Sequence, residues 1–573
     1  MYNNMYYKVK VIFLFFNTLS IIYGSTRIQT NYGDVEGFNY EDPEGNEYGI
    51  FLGIPYAKPP LEELRFEKPL PPDKWNDVKE TKQYSSDCIQ LTRSDIKNEI
   101  SEDCLKLNII TLKESKNNVN GYPVLFIVHD GEYGIGSSSF FCYKILARNF
   151  ASQNIVVVTI NYRLGAFGFG SLDKNEMPGN YGLWDQRMAL IFIKENIKFF
   201  GGNPSKIVVM GLGSGAGCVG ALSLSPHTNK YIYKAIQISG SIFNGLSSVN
   251  NILTNETLNL ASSLNCTTEN INFKEIKECL KSKYINEVIN GVEKLGKKMN
   301  NIYMAKFGPS YDNDFFPDNY DNLILQSKIK IPTFIGSTNL ETLNYVLMND
   351  FPSINSIYIN YKQYSRFQEK DLYEFIRRYF TSKHHHFYVD KKIIEKKIVN
   401  FYKDLVISER RNNTDNLYLI CLIRLTSDIL INIPVLWEGE AKSKAGWPVY
   451  MYKNIFYNSK MFPNDIPIKG STHGIENYYI FYNKKQRKFK KSIKDVKFAV
   501  RYLKTLIYFI TDKSLFIGKR KIPKYIRTGE YLEFSTEIKI KQHLYKKNSE
   551  FWKDYRSEYH YDLIRNVPYT KEW

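Results

Sequence analysis

Short, nearly uninterrupted apolar runs recur along the chain, each closed by turn residues: PVLFIVHD (123–130), NIVVVTINYR (154–163), KIVVMG (206–211) and IPTFIGST (331–338). Runs of this length, rich in β-branched residues and lacking strict alternation, mark strands buried on both faces, as in a parallel sheet. Between them lie stretches of helical length. In GLWDQRMALIFIKENIKFF (182–200), Leu183, Met188, Ile191, Phe192 and Ile193 make one apolar side. Strands alternating with helices predict one α/β domain over residues 26–573, with a large, mostly parallel sheet covered by helices on both faces. KESKNNVNG (113–121) and TSKHHHF (381–387) read as loop insertions, and no internal repeat interrupts the pattern.

The first 25 residues depart from it. Lys8 and Lys10 precede VIFLFFNTLSIIYG (11–24), which ends in small residues near Gly24 and Ser25. That is the layout of a secretory signal peptide, so residues 1–25 are set apart from the fold and the protein is expected outside the cell. No later stretch holds about 18 uninterrupted apolar residues, and no transmembrane segment is expected.

Composition adds detail to that picture. With 573 residues, 43% of them hydrophobic, the chain can bury a large core. Export permits disulfides. Cys88 and Cys104 bracket one polar loop and Cys266 and Cys279 another, so two local bridges are expected; Cys142, Cys218 and Cys421 are left over. Asn255, Asn265 and Asn412 each begin a glycosylation triplet. The net charge of +18 is concentrated in KKQRKFKKSIK (484–494) and GKRKIPK (518–524), where an anionic glycan partner competes with a plain solvated surface. His384, His385 and His386 are adjacent in a loop and cannot all converge, so no metal is expected there. Nothing points to a cofactor or to nucleic acid.

Five segments carry a more specific likeness: FLGIPYAKPP (51–60), SEDCLKLNI (101–109), NYRLGAFGF (161–169), GNYGLWDQRMAL (179–190) and FGGNPSKI (200–207). In order and spacing they resemble the cholinesterase and type-B carboxylesterase family. The resemblance runs from about residue 26 to the C-terminus and weakens in the middle and after His473. It implies an α/β-hydrolase fold, in a family that includes both esterases and non-enzymatic adhesion proteins.

Ester hydrolysis in that fold needs a serine on a strained strand-to-helix turn, a histidine base, an acid to orient it, and backbone amides for the oxyanion. The turn motif is G-x-S-x-G, and this chain reads Gly211, Leu212, Gly213, Ser214, Gly215. The nucleophile position therefore holds Gly213, and Ser214 is the alternative nucleophile one residue along. Where the family has consecutive glycines for the oxyanion, the chain reads His129, Asp130, Gly131, Glu132, Tyr133. The expected oxyanion-hole positions are Gly131, Glu132 and Ser214, with Asp130 and Glu132 bringing negative charge where glycines belong. GSTNLETL (336–343) places Glu341 as the acid, and KGSTHGIENYY (469–479) places His473 as the base, with Glu476 downstream.

Other family features are eroded. The Cys88–Cys104 loop lacks the tryptophan on which cholinesterases seat a quaternary ammonium. The resemblance puts Ile433 and Ser549 at a third bridge that is lost on both sides. Phe551 and Trp552 match a pair on the terminal helix that joins cholinesterase dimers, which allows a homodimer. Together these readings predict a catalytically inactive family member that binds a protein or a small ligand. The competing expectation is a weak or altered ester hydrolase using Ser214 or a water activated by His473.

Overall fold

The computed structural model describes the chain except for residues 1–21, 92–98, 114–118, 246–249, 268–270, 297–301, 303–305, 349–355, 382–389, 410–414, 482–488, 515, 518, 526–528 and 570–573. The histidine run, Asn412, residues 484–488 of the first basic run and most of the expected signal peptide lie outside the described residues. Residues 22–25 open the first strand.

One large sheet dominates. Its strands are β1 (Ile22–Gln29), β2 (Asp34–Glu41), β3 (Glu47–Pro55), β4 (Lys106–Leu112), β5 (Tyr122–Val128), β6 (Val156–Ile160), β7 (Gly202–Leu212), β8 (Lys234–Ile238), β9 (Thr333–Thr338), β10 (Val449–Asn454), β11 (Glu530–Phe534) and β12 (Ile538–Gln542). They lie in the order β1-β2-β3-β4-β6-β5-β7-β8-β9-β10-β11-β12, and a short strand, Lys79–Glu80, pairs with β2. From β6 to β11 every neighbouring pair is parallel, whereas the β1–β4 side and the β12 edge are antiparallel. This is the α/β-hydrolase architecture the sequence implies.

The apolar runs sit where their composition requires. Every residue of β6, β8 and β9 is buried, as are residues 124–128 of β5, because helices cover both faces. The helix α1 (Tyr181–Asn196) buries Leu183, Met188, Phe192 and Ile193, as its apolar side predicts. Leu417–Lys444 is long and apolar enough to cross a membrane, but its apolar window is 94% buried inside the protein.

The remaining cysteine and aromatic expectations resolve locally. Cys88 is bonded to Cys104 and Cys266 to Cys279, while Cys142, Cys218 and Cys421 are free thiols. At the lost third bridge, Ile433 is fully buried and Ser549 accepts a 2.9 Å bond from Trp437 Nε1. Phe551 stacks on Phe401 at 4.0 Å, and Trp552 Nε1 donates to the Tyr402 hydroxyl, so this pair is engaged within its own chain.

Parallel strands all end on one edge of the sheet, and the loops that leave this edge converge. The loop after β5 carries Asp130 to Tyr133, the turn after β7 carries Gly213, the loop after β9 carries Glu341, and the long connection after β10 carries His473. The first of these loops is braced from beside it: Gly165 N–H donates to Tyr133 O at 2.8 Å. The Gly165 segment is itself held by Arg163, whose Nε and Nη2 reach the two oxygens of buried Asp185 at 2.8 and 2.7 Å. Removing one partner would leave an unpaired buried charge. Asp185→Ala should therefore lose about 3–5 kcal/mol of stability, read as a lowered midpoint in guanidinium denaturation.

Candidate functional site

The strand-to-helix turn keeps the geometry of a nucleophile elbow without its side chain. β7 ends at Leu212, the helix α2 (Ser214–Leu224) begins at Ser214, and Gly213 joins them at φ 52°, ψ −121°. Only glycine takes that conformation without strain. A Cβ at Gly213 would overlap Oδ1 and Cγ of Asp130 and stand 2.5 Å from its Oδ2. The volume of a serine side chain is thus already filled by the carboxylate of another residue.

Asp130 also takes up amides expected to form the oxyanion hole. Its Oδ1 accepts the amide of Gly131 at 2.7 Å, the amide of Ser214 at 2.9 Å and the Ser214 hydroxyl at 3.1 Å. Two of the expected oxyanion donors do converge, but on a resident anion. Glu132, the third expected position, instead lines the adjoining cavity.

Through its other oxygen Asp130 reaches the base. His473 Nε2 lies 3.1 Å from Asp130 Oδ2, and His473 Nδ1 lies 2.9 Å from Glu341 Oε2. Glu341 is fully buried and accepts the Ser239 hydroxyl at 2.8 Å and the amide of Thr338. The His473 amide donates back to Glu341 O at 3.0 Å. Burial opposes a charged imidazole, yet the bonds and charges of Asp130 and Glu341 outweigh it and hold His473 well above its ordinary pKa. Asp130 responds in kind: burial disfavours its charge, but His473 and the two amides bring its pKa below the usual carboxylate value. Both shifts favour the ion pair of an imidazolium at His473 with a carboxylate at Asp130.

The loop bearing Asp130 is tightly wound. Gly131 O accepts the amides of Gly134 and Ile135 at 3.0 and 2.9 Å. Glu132 and Tyr133 follow at φ 54° and 57°, a left-handed region uncommon for residues with side chains. Glu132, Tyr133, Gly213, Ser214, Tyr345 and His473 share the wall of a small cavity of about 40 Å³. The Tyr345 ring lies 5.6 Å from that of His473. Buried Glu476, beyond the cavity, bonds Asn454 Nδ2 at 3.1 Å through one oxygen.

Sequence reasoning located Glu341, His473, Gly213, Ser214 and Gly131, and the structure brings all five within one site. It noted the charge of Asp130 as damage and missed its placement. No spacing in the sequence signals that a loop side chain folds back onto the amide of the next residue. Ser239, which steadies Glu341, was also missed, because a lone serine after a strand has no motif. Of the triplet asparagines, Asn255 and Asn265 are among the described residues.

Comparison with known proteins bears on the scaffold that holds this site. Residues 24–552 match the model of the carboxylesterase family. Gut esterase 1 of Caenorhabditis briggsae is 35% identical over 550 residues, covering 94% of each chain. Gut esterase 1 of Caenorhabditis elegans is 35% identical over 458 residues, 79% of this chain and 78% of that one. Acetylcholinesterase of Danio rerio is 32% identical over 362 residues, 61% of this chain and 56% of that one.

Two carboxyls near the site respond oppositely to Asp130. Glu132 is pushed up to about 7 by burial and then by the charge of Asp130, and Glu476 to about 7 by burial and then by Glu341. The folded state keeps these protons where the unfolded chain releases them, so stability falls as pH rises between about 4.5 and 7. Glu132→Gln removes one such site. It should be roughly 3 kcal/mol more stable than the native protein at pH 8 and nearly unchanged at pH 5, measured by urea denaturation at both pH values.

Proposed function

The chain belongs to the carboxylesterase family, matched from residue 24 to 552, and on that footing we propose that acyl transfer through a serine is closed in this member and that it acts by binding a protein or a small ligand. The observation that carries this reading is the Asp130 carboxylate bonded to the amides of Gly131 and Ser214 and to His473 Nε2. The amides, the alternative nucleophile and the histidine all meet that one group.

A tetrahedral oxyanion would need the two amides that Asp130 already holds, each donor being worth about 3–4 kcal/mol. It would also stand beside a like charge, a repulsion of roughly 4 kcal/mol for charges about 4 Å apart in surroundings of intermediate polarity. The Ser214 hydroxyl donates to Asp130 Oδ1 and not to the imidazole, so the alternative nucleophile is not paired with the histidine base. A water fares no better, because His473 Nε2 is taken by Asp130, whose charge favours the protonated imidazole. An extracellular setting fits the two disulfides.

Fluorophosphonate labelling and hydrolysis of a short acyl ester test the reading. The native protein should be silent in both, about 10⁶-fold below a complete triad. Gly213→Ser alone should stay silent, since the new side chain meets Asp130. Gly213→Ser combined with Asp130→Gly should gain labelling. Ester turnover or labelling by the native protein, or by Gly213→Ser alone, would overturn the proposal.

A further inference from the structure

The carboxylate that closes the site to esters is arranged for a different attack. Asp130 Oδ1 is fixed by two amides and a hydroxyl, while Oδ2 has the His473 imidazole on one lone pair and another lone pair uncommitted. The Asp130 side chain keeps 27% of its exposure, and its partners Ser214 and His473 line the cavity. A carboxylate so held is a nucleophile toward saturated carbon. Two residues on, Glu132 faces the same cavity. We propose that Asp130 attacks a small, unhindered epoxide, with Glu132 protonating the ring oxygen and His473 later hydrolysing the ester formed on Asp130. This goes beyond the binding reading but shares its premise, the position of Asp130.

The class of electrophile follows from the cavity. No lysine or arginine is among its described lining residues, so a departing halide or sulfate has no free counter-ion. An epoxide oxygen needs only a proton and stays attached to the product. Attack on a carbonyl carbon is excluded on other grounds, since it would create an oxyanion where Asp130 already sits. The small cavity admits only a short epoxide.

The steps balance. Oδ2 bonds the less substituted ring carbon, the carbon–oxygen ring bond breaks, and the ring oxygen takes the Glu132 proton, leaving a hydroxyalkyl ester on Asp130. Environment separates the two carboxyls as this requires: Glu132 is pushed up to about 7 by burial and by its neighbour's charge, whereas Asp130 is held ionised. Esterification removes the charge of Asp130 and with it one of the two partners that keep His473 protonated. His473 then returns its proton to Glu132 and becomes a free base. It takes a proton from water, the hydroxide adds to the Asp130 carbonyl carbon, and the oxyanion on Oδ1 rests on the amides of Gly131 and Ser214. Collapse expels the diol oxygen, which receives the proton from His473. Asp130, now a neutral acid, reprotonates the imidazole, and the net reaction is epoxide plus water to 1,2-diol.

The test uses the full chain in excess over 1,2-epoxypropane in ¹⁸O-labelled water, quenched with acid and read by peptide mass spectrometry. A single turnover should place ¹⁸O in the peptide containing Asp130 and none in the diol. His473→Gln should accumulate one hydroxypropyl ester on Asp130, Glu132→Gln should slow its formation about 100-fold, and Asp130→Asn should form none. The ¹⁸O readout on the native protein needs no variant, so a folding failure in one of them leaves the test intact. Label in the diol, or modification of Asp130 no faster than of other carboxylates in the chain, overturns the inference. A parallel acyl-ester assay keeps the two proposals apart: ester turnover defeats the binding reading, whereas silence toward both substrates defeats the epoxide inference alone.

Discussion

The Asp130 carboxylate accepts the amides of Gly131 and Ser214 with one oxygen and meets the His473 imidazole with the other. An ion at this depth is tolerated only when donors and a counter-charge surround it. The groups that serve it are those a serine esterase would direct at its transition state. A permanent negative charge now sits where a transient one would form, and the preorganised amides are satisfied in the resting protein.

Two residue changes at the site are complementary. Gly213 leaves open the space that the carboxylate fills, and a Cβ there would collide with it. Asp130 in turn fills a void that would otherwise face two unpaired amides. The retention of His473 and Glu341 follows from the same constraint. The half-buried anion is stabilised by the imidazolium, and the buried imidazolium by Glu341 on its far nitrogen, which helps outweigh the cost of burial. A histidine and an acid in the family's order are thus compatible with a structural ion triad as well as with catalysis.

The fold supplies the rigidity this arrangement needs. β5, β7, β9 and β10 are parallel members of one sheet, so the loops leaving their ends meet at one edge. The elbow keeps its left-handed turn at Gly213, and Glu132 and Tyr133 hold left-handed conformations although they carry side chains. Such strain persists because the surrounding contacts over-determine it. Among those contacts are the turn bonds onto Gly131 O and the brace from Gly165 to Tyr133.

Much of the molecule was legible in the sequence for physical reasons. Runs such as VLFIV and IVVVTI have no polar face to offer water, so they had to become central parallel strands. Paired cysteines around short loops had to lie close enough to bond. The turn glycines and the His473 and Glu341 segments carried the family pattern, and with it the position of each site residue. What the sequence could not state is where the side chain of Asp130 points. Reading along the chain, an aspartate in place of a glycine is an added charge and a crowded turn. Whether that charge faces solvent or folds onto the amides beside it depends on space left by Gly213, 83 residues away, and on an imidazole 343 residues away. Those groups become neighbours only when the sheet is assembled. The sequence by itself determined the scaffold and put a glycine, Gly213, at the strand-to-helix turn. Only tertiary structure decided that the vacated position holds an anion, because electrostatic pairing depends on distance in space and not along the chain.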